Sequence, residues 1–217
     1  YFENFGSEEQ KQRFLPGCVK GETILAVAMT EPDAGSDLSG MRSTAKDEGD
    51  YFLLNGSKTY ISNGINADIV IVAAKTDPTE RHAGLSLLIL ERGMEGFERG
   101  RNLDKIGMHS QDTAELFFND VRVPVANRLG DEGKGFTYLA ANLAQERLSI
   151  AIAGVSAARA ALGWTLEYVG ERTAFGKTIG TFQNTKFVLA EVATEIDVTQ
   201  AYVDQCILQL NAKTLTP

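Results

Sequence analysis

The sequence holds few of the side chains that most often bind transition metals. It has two cysteines, Cys18 and Cys206, and two histidines, His82 and His109, among its 217 residues. They do not show the short spacings that zinc sites need, so we expect no metal centre. The cysteine usage fits a reducing compartment, and Cys206 lies on an apolar helical stripe, which predicts buried packing.

Basic residues are also scarce. Lysine and arginine together number 21, against 29 aspartates and glutamates, which gives a net charge of −8. This balance argues against a general nucleic-acid binder, although a few local arginines are enough to hold an anionic ligand. The acidic composition favours a bacterial cytoplasm as the location, with the mitochondrial matrix as the alternative in a eukaryote.

The sequence also lacks a long apolar run and a signal peptide. No uninterrupted apolar run approaches the roughly 18 residues that a membrane span needs, so we expect none. The chain opens with YFENFGSEEQ, without a methionine, a basic region or an apolar region. We therefore expect an internal piece of a longer protein that lacks both ends.

Proline is absent from residues 125–216, and this absence predicts helices there. One helix is expected from Gly135 to about Glu171, and a second from Thr181 or Gln183 to about Lys213. The apolar stripe of the second helix is typical of packing in a bundle, and it consists of Leu189, Val192, Ala193, Ile196, Val203, Ile207 and Leu210.

Residues 23–118 alternate short β-type runs with turn signals. The runs predict strands at residues 23–29, 43–47, 51–54, 58–61, 69–74, 85–90 and 114–118. Asn55 and Gly56 form the dipeptide most typical of a two-residue hairpin, so we expect a turn between the third and fourth of these strands. This many short strands within roughly a hundred residues indicate a barrel or a sandwich.

Residues 1–22 are expected to be the end of a helical domain. Ser7 and Gln10 form a capping-box pattern, and the helix that follows is predicted to end at Leu15-Pro16-Gly17. The expected order is then this helical remnant (1–22), a middle β-domain (23–128) and an incomplete C-terminal helical bundle (129–217). This order is an α+β fold.

One frequent nucleotide-binding motif is absent, and two motif matches carry no function. The sequence has no G-x-G-x-x-G, so a Rossmann dinucleotide site is not indicated. The stretch GERTAFGKT, residues 170–178, has its first glycine one residue too far away for a P-loop, and it follows a helix instead of a strand. Asn55-Gly56-Ser57 matches a glycosylation sequon, which we interpret as a chance match in a tight turn.

The stretch LAQERLSIAIAG, residues 143–154, places a carboxylate on an apolar helix face. A carboxylate in such surroundings is either paired or retained for chemistry. Arg147 is a poor partner for Glu146, because adjacent helical residues point about 100° apart, whereas a partner on another helix stays open. The apolar residues that share the face at helical spacing are Leu139, Leu143, Ile150 and Ala153.

The stretch AMTEPDAGSDLSG, residues 28–40, leaves a predicted strand and enters a loop rich in Pro, Gly, Ser and Asp. Such a loop can present backbone N–H groups and hydroxyls to an anion or to a polar ring edge. From composition alone a plain turn is the favoured interpretation.

Four ordered motifs, AMTEPDAGSD, NGSKTYISNG, QERLSIA and RTAFGK, resemble the acyl-CoA dehydrogenase family, and QERL with RTAFGK is most similar to its long-chain branch. The resemblance covers nearly the whole chain. It implies an acyl-CoA dehydrogenase-like fold with a helical domain, a middle β-domain and a C-terminal helical bundle, assembled as a homotetramer, a dimer of dimers. It also implies FAD as cofactor and oxidation of an acyl-CoA to the trans-2-enoyl-CoA in fatty acid β-oxidation, with electrons passed to an electron-transfer flavoprotein.

The resemblance implies cofactor contacts for the first two motifs. Thr30 is expected to hydrogen-bond the pyrimidine edge of the flavin, where donors would hold the anionic reduced ring. Tyr60 is expected to pack near the ring, with an ordinary strand aromatic as the alternative. The full set along the flavin is Val27, Ala28, Met29, Thr30, Gly35, Ser36, Tyr60, Ile61 and Ser62.

The motif RTAFGK is implied to reach an FAD held mainly by a neighbouring subunit. Arg172 carries the fixed charge that suits a pyrophosphate, Phe175 reaches the same cofactor, and Gln183 helps to hold it. For Arg172 the alternative is a cation at the C-terminal end of a helix, where the helix dipole favours positive charge.

Glu146 is the expected catalytic base. Removing the α-proton of a thioester needs a carboxylate in a dry pocket whose pKa is raised by burial. Most of the family carries this base on a later segment, whereas a minority that includes the long-chain and isovaleryl branches carries it in the Glu-Arg pair of this helix. The letters QER imply the minority. The alternative is a structural ion pair inside the bundle.

Four residues are expected to contact the acyl-CoA. Arg147 would point toward the CoA nucleotide, Ser36 would lie near both the cofactor and the substrate, His82 belongs to a loop that contacts the CoA portion, and Tyr138 would contact the acyl chain. A solvated loop histidine is the favoured alternative for His82, and core packing is the alternative for Tyr138. His109 is given no role.

Two positions depart from the family pattern: Asp33 stands where Gly is frequent, and Tyr60 where Trp or Phe is common. Both bear on the geometry of the cofactor site.

Two other functions are also considered. The first is a catalytically silent assembly or scaffold relative, against which the retention of Glu146, Ser36 and Arg172 argues. The second is an acyl-CoA oxidase that gives its electrons to oxygen.

Overall fold

The computed structural model describes residues 1–215. The chain divides into two compact units, Tyr1–Leu139 and Ala140–Pro217. The three-part division into residues 1–22, 23–128 and 129–217 stays a prediction.

The first unit begins with two helices, α1 (Phe2–Phe5) and α2 (Glu8–Lys20). The predicted capping box is confirmed, because Ser7 Oγ accepts from the N–H of Gln10 and Gln10 Oε1 accepts from the N–H of Ser7, each at 3.2 Å. The predicted end at Pro16 is wrong. A proline removes one helical hydrogen bond without ending the helix by necessity. Helix α2 ends at Lys20 and is capped by the left-handed Gly21, whose φ is 73° and whose N–H donates to Cys18 O.

One mixed sheet forms the body of this unit. Its strands are β1 (Leu25–Ala28), β2 (Thr44–Asp47), β3 (Tyr51–Ser62), β4 (Ile69–Lys75), β5 (Leu85–Glu91), β6 (Phe97–Asn102), β7 (Thr113–Pro124) and β8 (Arg128–Leu129). They run in the order β6-β7-β3-β2-β4-β5-β8, and β1 pairs in parallel with β4. Short 3₁₀ turns lie at Leu38–Gly40, His82–Gly84 and Val125–Asn127.

Strands β4 and β5 lie at the centre of the unit and are buried on both faces. One face joins a core that includes Phe52 and Leu116, and the other joins a core closed by Phe2, Phe14 and Leu139. This explains why both strands read as nearly continuous apolar runs, IVIVAA and LSLLIL, the second interrupted by the buried Ser86. The α+β class predicted from the sequence is confirmed.

The predicted hairpin at Asn55-Gly56 is wrong, because β3 runs without interruption from Tyr51 to Ser62. The dipeptide lies at a β-bulge, where the register between β3 and β7 shifts. The Asn55 side chain exchanges hydrogen bonds with Asp120 of β7, each at 2.9 Å. Gly56 has a φ of 143°, and a Cβ placed there would clash with Ser43 Oγ. The dipeptide therefore serves a bulge and a close approach instead of a turn.

Replacing Gly56 with alanine is expected to lower the free energy of unfolding by about 2–6 kcal/mol, since overpacking and backbone strain each cost about 1–3 kcal/mol. Gly49 is the matched control, because its φ is 90° but nothing lies within 4 Å of the position that a Cβ would take there. Gly49→Ala should therefore cost about 1 kcal/mol, from strain alone. Denaturant unfolding of both variants measures the difference, and equal losses would contradict the close approach to Ser43.

The second unit contains most of α3 (Gly135–Glu171) and all of α4 (Gln183–Asn211). Between them lie β9 (Thr173–Ala174), β10 (Lys177–Thr178) and a 3₁₀ turn at Ile179–Thr181. The two helices pack through Leu148, Val155, Ile196 and Val203, and Arg159 donates to Asp197 Oδ1 at 3.1 Å. Both predicted helices are confirmed, and α4 ends at Asn211, earlier than the predicted Lys213.

Among the described residues, one helix is long and apolar enough to cross a membrane, judged by length and composition alone, and that helix is α3. The sequence lacks a long uninterrupted apolar run, but α3 reaches this average through many alanines and few charges. Core helices of globular proteins can meet the same criterion.

Candidate functional site

The end of β1 lies against the middle of β3. Val27 and Ala28 pair with β4, in register with Ile71 and Val72, and the chain then leaves the sheet through Met29 and Thr30. The N–H of Thr59 donates to Thr30 O at 2.9 Å. This bond places the half-buried Thr30 beside the β3 segment that carries Tyr60.

Tyr60 has an unusual backbone conformation. Its φ is 59°, and it lies at the second irregularity of β3, between Lys58 and Ile61. The side chain is 69% exposed, whereas Ile61 is buried in the core and Ser62 is exposed. A left-handed non-glycine residue costs about 1–3 kcal/mol and persists where the surrounding structure fixes it, which is frequent at functional sites. The bulge therefore displays an aromatic ring next to Thr30.

The loop after Thr30 is compact. Glu31 and Ala34 pair through two backbone hydrogen bonds of 2.9 and 3.2 Å, and Gly35 and Ser36 beyond them are exposed. No atom lies within 4 Å of the position that a Cβ on Gly35 would take. Asp33 points outward and pairs with Arg42 at 3.1 Å, so this departure from the family pattern leaves the surface of the loop open.

Asp37 continues the loop and connects it to a second one. The hydroxyl of Ser39 donates to Asp37 Oδ1 at 2.5 Å, and the Arg81 guanidinium donates to Asp37 Oδ2 at 3.2 Å and to Ser39 Oγ at 3.0 Å. The hydrogen bond from Ser39, followed by the charge of Arg81, lowers the pKa of the Asp37 carboxyl. The loop that follows Ser36 is thus joined to the segment that contains His82.

Glu31 and Lys58 form a buried ion pair that the sequence analysis missed. Lys58 Nζ lies 2.8 Å from Glu31 Oε1, and the side chains are 0% and 5% exposed. Burial alone would raise the pKa of Glu31, but the charge of Lys58 and hydrogen bonds from Arg42, Lys58 and Ser43 hold it below its usual value. Burial lowers the pKa of Lys58, and the facing carboxylate opposes that shift. The only sequence signal was a lysine next to strand residues that face the core.

Two predicted substrate residues of the first unit lie in aromatic contacts. The His82 ring is exposed and its centroid lies 4.3 Å from that of Phe136. The Tyr138 ring stacks on Phe5 at 4.1 Å, and its hydroxyl accepts from the N–H of Asp131 at 3.1 Å. The packing of Tyr138 favours the core alternative, and its contact with an acyl chain stays a prediction.

Glu146 lies half-buried on α3, between the exposed Gln145 and Arg147. Of the apolar residues expected on its face, Ile150 is 75% exposed and Ala153 is also exposed. The apolar face that contains Glu146 is thus partly exposed among the described residues, and the role of Glu146 stays a prediction. The physical reason for the exposure is that α4 packs on Leu148 and Val155, and Leu148 points about 200° around the helix from Glu146.

The motif RTAFGK forms the hairpin between α3 and α4. Arg172 follows the last residue of α3 and is exposed. Its backbone N–H donates to Tyr168 O at 2.8 Å, and its backbone carbonyl accepts from the N–H of Ile179 at 2.8 Å. Phe175 and Gly176 form the two-residue turn between β9 and β10, with φ values of 52° and 75°. Both are left-handed, as a type I′ turn requires.

Phe175 is 95% exposed, and its ring is 6.3 Å from that of Phe182 in an edge-on arrangement. An aromatic residue at a position that favours asparagine or glycine costs backbone energy and gains little burial within the described chain. Gln183 is the first residue of α4 and is exposed. Arg172, Phe175 and Gln183 thus lie at one end of the second unit.

Comparison with known proteins places this geometry in a family. A family model described as Acyl-CoA dehydrogenase, middle domain, matches residues 26–121, and one described as Acyl-CoA dehydrogenase, C-terminal domain, matches residues 133–217. The chain belongs to the acyl-CoA dehydrogenase family. The resemblance inferred from four short motifs is confirmed, and so is the predicted fold.

The similar proteins support the same branch of the family as the motifs. The chain is 51% identical to the long-chain specific acyl-CoA dehydrogenase, mitochondrial, of Sus scrofa, over 95% of the chain and 49% of that protein. It is 53% identical to an acyl-CoA dehydrogenase from Geobacillus kaustophilus with a TM-score of 0.97, covering 99% of this chain and 57% of that one.

A second similar structure is named electron transferring flavoprotein of Acidaminococcus fermentans. The match has 40% identity and a TM-score of 0.93, and it covers 100% of this chain and 56% of the other. The chain thus spans about half the length of the curated relatives it matches, 49% for the pig protein. The compartment stays a prediction, since the similar proteins include mitochondrial and bacterial ones.

Membership also bears on α3 and on the cofactor. Helix α3 falls within the match to the acyl-CoA dehydrogenase C-terminal domain, so we interpret it as a helix of that bundle and not as a membrane span. Acyl-CoA dehydrogenases are flavin-dependent oxidoreductases, and oligomers are typical of them.

Proposed function

We propose that the whole protein is an FAD-dependent acyl-CoA dehydrogenase that desaturates a long-chain acyl-CoA to the trans-2-enoyl-CoA. The observation that carries the proposal is the display of two aromatic side chains from left-handed backbone, Tyr60 and Phe175. Both stand at positions that the family uses for FAD. An exposed, strained aromatic has no evident value for folding, and such outliers are frequent in binding sites.

The residues of the first unit fit a flavin. Tyr60 supplies an aromatic wall beside Thr30, and the bond from Thr59 fixes their spacing. Val27, Ala28, Met29, Gly35, Ile61 and Ser62 complete the expected set. Around Gly35 the chain leaves room for a phosphate group, because no atom lies within 4 Å of its missing Cβ. Ser36 is exposed there and can donate from its hydroxyl.

The residues of the second unit fit the pyrophosphate end of an FAD held mainly by another subunit. Arg172 offers a permanent charge and a fork of N–H donors, and Phe175 offers an uncovered ring. Gln183 stands at the N-terminus of the 29-residue helix α4, where the helix dipole favours an anion. The proposed assembly is therefore a homo-oligomer, with a dimer of dimers as the expected form.

When bound, FAD supplies the acceptor for the hydride that leaves Cβ of the acyl chain. Glu146 removes the α-proton, and half-burial on α3 limits its contact with water. Arg147, exposed on the next position of the helix, binds the CoA nucleotide. In the first unit, Ser36 and His82 are the proposed contacts of the CoA portion. A contact of Tyr138 with the acyl chain is proposed only as an addition to its core packing on Phe5. These roles carry the residue assignments of the sequence analysis forward as a proposal.

The proposed electron acceptor is an electron-transfer flavoprotein. It is supported by the similarity to a chain in the structure named for such a flavoprotein. Two other functions stay as alternatives, an acyl-CoA oxidase that reduces oxygen and a catalytically silent scaffold.

Full-length protein should be purified, its released flavin identified, and its reduced form mixed with air or with an electron-transfer flavoprotein.

We expect bound FAD, slow reoxidation in air and fast reoxidation by the flavoprotein. Fast reoxidation in air would make the protein an oxidase, and failure to bind FAD even after reconstitution would support the scaffold. A panel of straight and branched acyl-CoAs tests the chain length, with long straight chains expected to reduce the flavin fastest.

Replacing Phe175 with asparagine should separate stability from cofactor binding. Asparagine tolerates the left-handed backbone, and Asn-Gly is the favoured type I′ pair, so the FAD-free protein should unfold at an equal or higher temperature. Loss of the ring should weaken FAD binding about tenfold, the effect of roughly 1.4 kcal/mol. Isothermal titration with FAD and thermal unfolding measure the two effects.

The control for Phe175→Asn is Phe117→Thr, which removes an exposed aromatic from β7 that has no proposed role. The control should leave FAD affinity unchanged. Unchanged affinity in Phe175→Asn as well would remove Phe175 from the cofactor site.

A further inference from the structure

The buried pair Glu31–Lys58 is the centre of a closed polar network. Lys58 Nζ donates to Met29 O at 3.0 Å and to Glu31 Oε1 at 2.8 Å, and it lies 3.6 Å from Met41 Sδ. Glu31 accepts in addition from the backbone N–H of Ser43 at 3.0 Å and from that of Arg42. Among the described residues, no buried side-chain nitrogen or oxygen lacks a hydrogen-bond partner. The network is therefore fully satisfied.

The network joins two segments that are far apart in sequence. One is residues 29–43, the other is the bulged part of β3. Three consecutive bonds cross between them: Lys58 Nζ to Met29 O at 3.0 Å, the N–H of Thr59 to Thr30 O at 2.9 Å, and Lys58 Nζ to Glu31 Oε1 at 2.8 Å. These bonds lie immediately before Tyr60 and on both sides of Thr30. The spacing of the two proposed flavin contacts is thus set by the Thr59–Thr30 backbone bond together with the buried pair on either side of it.

We propose that Glu31 and Lys58 are positioning residues for the cofactor, which hold Thr30 and the left-handed Tyr60 at the spacing that FAD requires before FAD arrives. The inference rests on the proposed function, because it assumes that Thr30 and Tyr60 contact the flavin. Neither Glu31 nor Lys58 needs to touch the cofactor for this role.

The physical case against a purely stabilising role is the cost of burying both charges. Replacing a buried ion pair with neutral side chains of similar size is often neutral or stabilising, so such a pair is weak evidence for stability. A fully satisfied buried network does, however, fix one geometry. Preorganisation of this kind strengthens ligand binding by removing the cost of ordering the site.

The test compares FAD affinity with folding stability in the full-length protein. Lys58→Met keeps an unbranched side chain, one atom shorter, but removes the bonds to Met29 and Glu31. The double variant Glu31→Gln/Lys58→Met also removes the buried carboxylate that the single change leaves unpaired. Each is stripped of flavin, checked by thermal unfolding, and titrated with FAD by flavin fluorescence and visible circular dichroism.

We expect the double variant to be more stable than Lys58→Met, although its amide can accept from only one of the backbone N–H groups of Arg42 and Ser43. It should still bind FAD at least about tenfold more weakly than the wild type, with an altered circular dichroism band of the bound flavin. Lys58→Met should lose both stability and FAD affinity. Lys46→Met, which breaks the exposed pair with Glu48 on β2, is the control and should match the wild type in all three readouts.

A folded double variant with wild-type FAD affinity and a wild-type flavin spectrum would overturn the inference and leave the pair with a structural role. If the double variant does not fold, the pair is required for folding itself and the inference is likewise overturned. Wild-type protein that does not bind FAD would instead overturn the proposed function. The failures of the two proposals are therefore distinguishable.

Discussion

Replacing Glu146 with glutamine is expected to slow reduction of the flavin by acyl-CoA by about 10²–10⁴-fold, the usual contribution of a general base. Glutamine has nearly the same shape, so FAD and acyl-CoA should still bind. It has no carboxylate to accept the α-proton, so removal of that proton, which accompanies the hydride transfer, becomes slow. Anaerobic stopped-flow measurement of flavin absorbance, with full-length protein and a long-chain acyl-CoA, gives the rate directly.

Glu167→Gln is the matched control, since Glu167 lies exposed on the same helix α3. It should reduce at the wild-type rate. The position of Glu146 supports the expectation: it is half-buried and points away from the Leu148–Val155 face that packs on α4. Reduction of Glu146→Gln with normal kinetics would show that the base lies elsewhere in the whole protein.

The second large effect is expected on stability. Lys58→Met should lower the free energy of unfolding by about 3–5 kcal/mol near neutral pH, the cost of leaving one member of a buried ion pair without its partner. The double variant Glu31→Gln/Lys58→Met should recover part of this loss, because no buried charge is left but one of the backbone N–H groups of Arg42 and Ser43 loses its acceptor. Denaturant unfolding of the two variants and the wild type measures both values, and an equal loss in both variants would contradict the account.

The loss of stability in Lys58→Met should depend on pH, because it depends on the charge of Glu31. Its pKa lies below the ordinary value of 4.5 in the folded protein, so the unfolded state binds more protons in acid. The stabilisation by Glu31 is then complete above about pH 4.5 and is lost as the pH falls toward the folded pKa. Without Lys58 the pKa of Glu31 rises, and the deficit of Lys58→Met should shrink as acid protonates the carboxylate. A deficit independent of pH would contradict this origin.

The parts of the fold predicted well have strong local signals. Strands β4 and β5 are long apolar runs, α3 and α4 are proline-free and periodic, and the Ser7–Gln10 cap is a four-residue pattern. The missed parts depend on partners distant in sequence. The polar strand β6 has the sequence FERGRN, and it forms because its backbone pairs with β7. The β9–β10 hairpin has only two residues in each strand, which is too short for a sequence pattern.

Local signals also misled in two places. The dipeptide Asn55-Gly56 is typical of hairpins, yet here it serves a bulge, because Gly56 must approach Ser43 closely. Pro16 predicted a helix end, yet the stop is Gly21. In both cases a tertiary contact or a later, stronger signal outweighed the local preference.

The candidate site was named from the sequence only through family motifs. Those motifs include the letters of Glu31 and Lys58, but nothing in the letters shows that the two side chains meet. The left-handed backbone at Tyr60 and Phe175 is similarly invisible in a sequence, because neither residue type favours it. Helical spacing places Ile150 and Ala153 on the same face as Glu146, but it does not say which face of α3 a neighbouring helix covers.

The most direct test of the central claim is a single anaerobic turnover. Full-length protein loaded with FAD is mixed with a long-chain saturated acyl-CoA, and both flavin absorbance and the acyl product are measured. The proposed function predicts that the absorbance bleaches and that one trans-2-enoyl-CoA forms for each flavin reduced. A flavin that stays oxidised with every acyl-CoA of the panel, in protein shown to contain FAD, would contradict it.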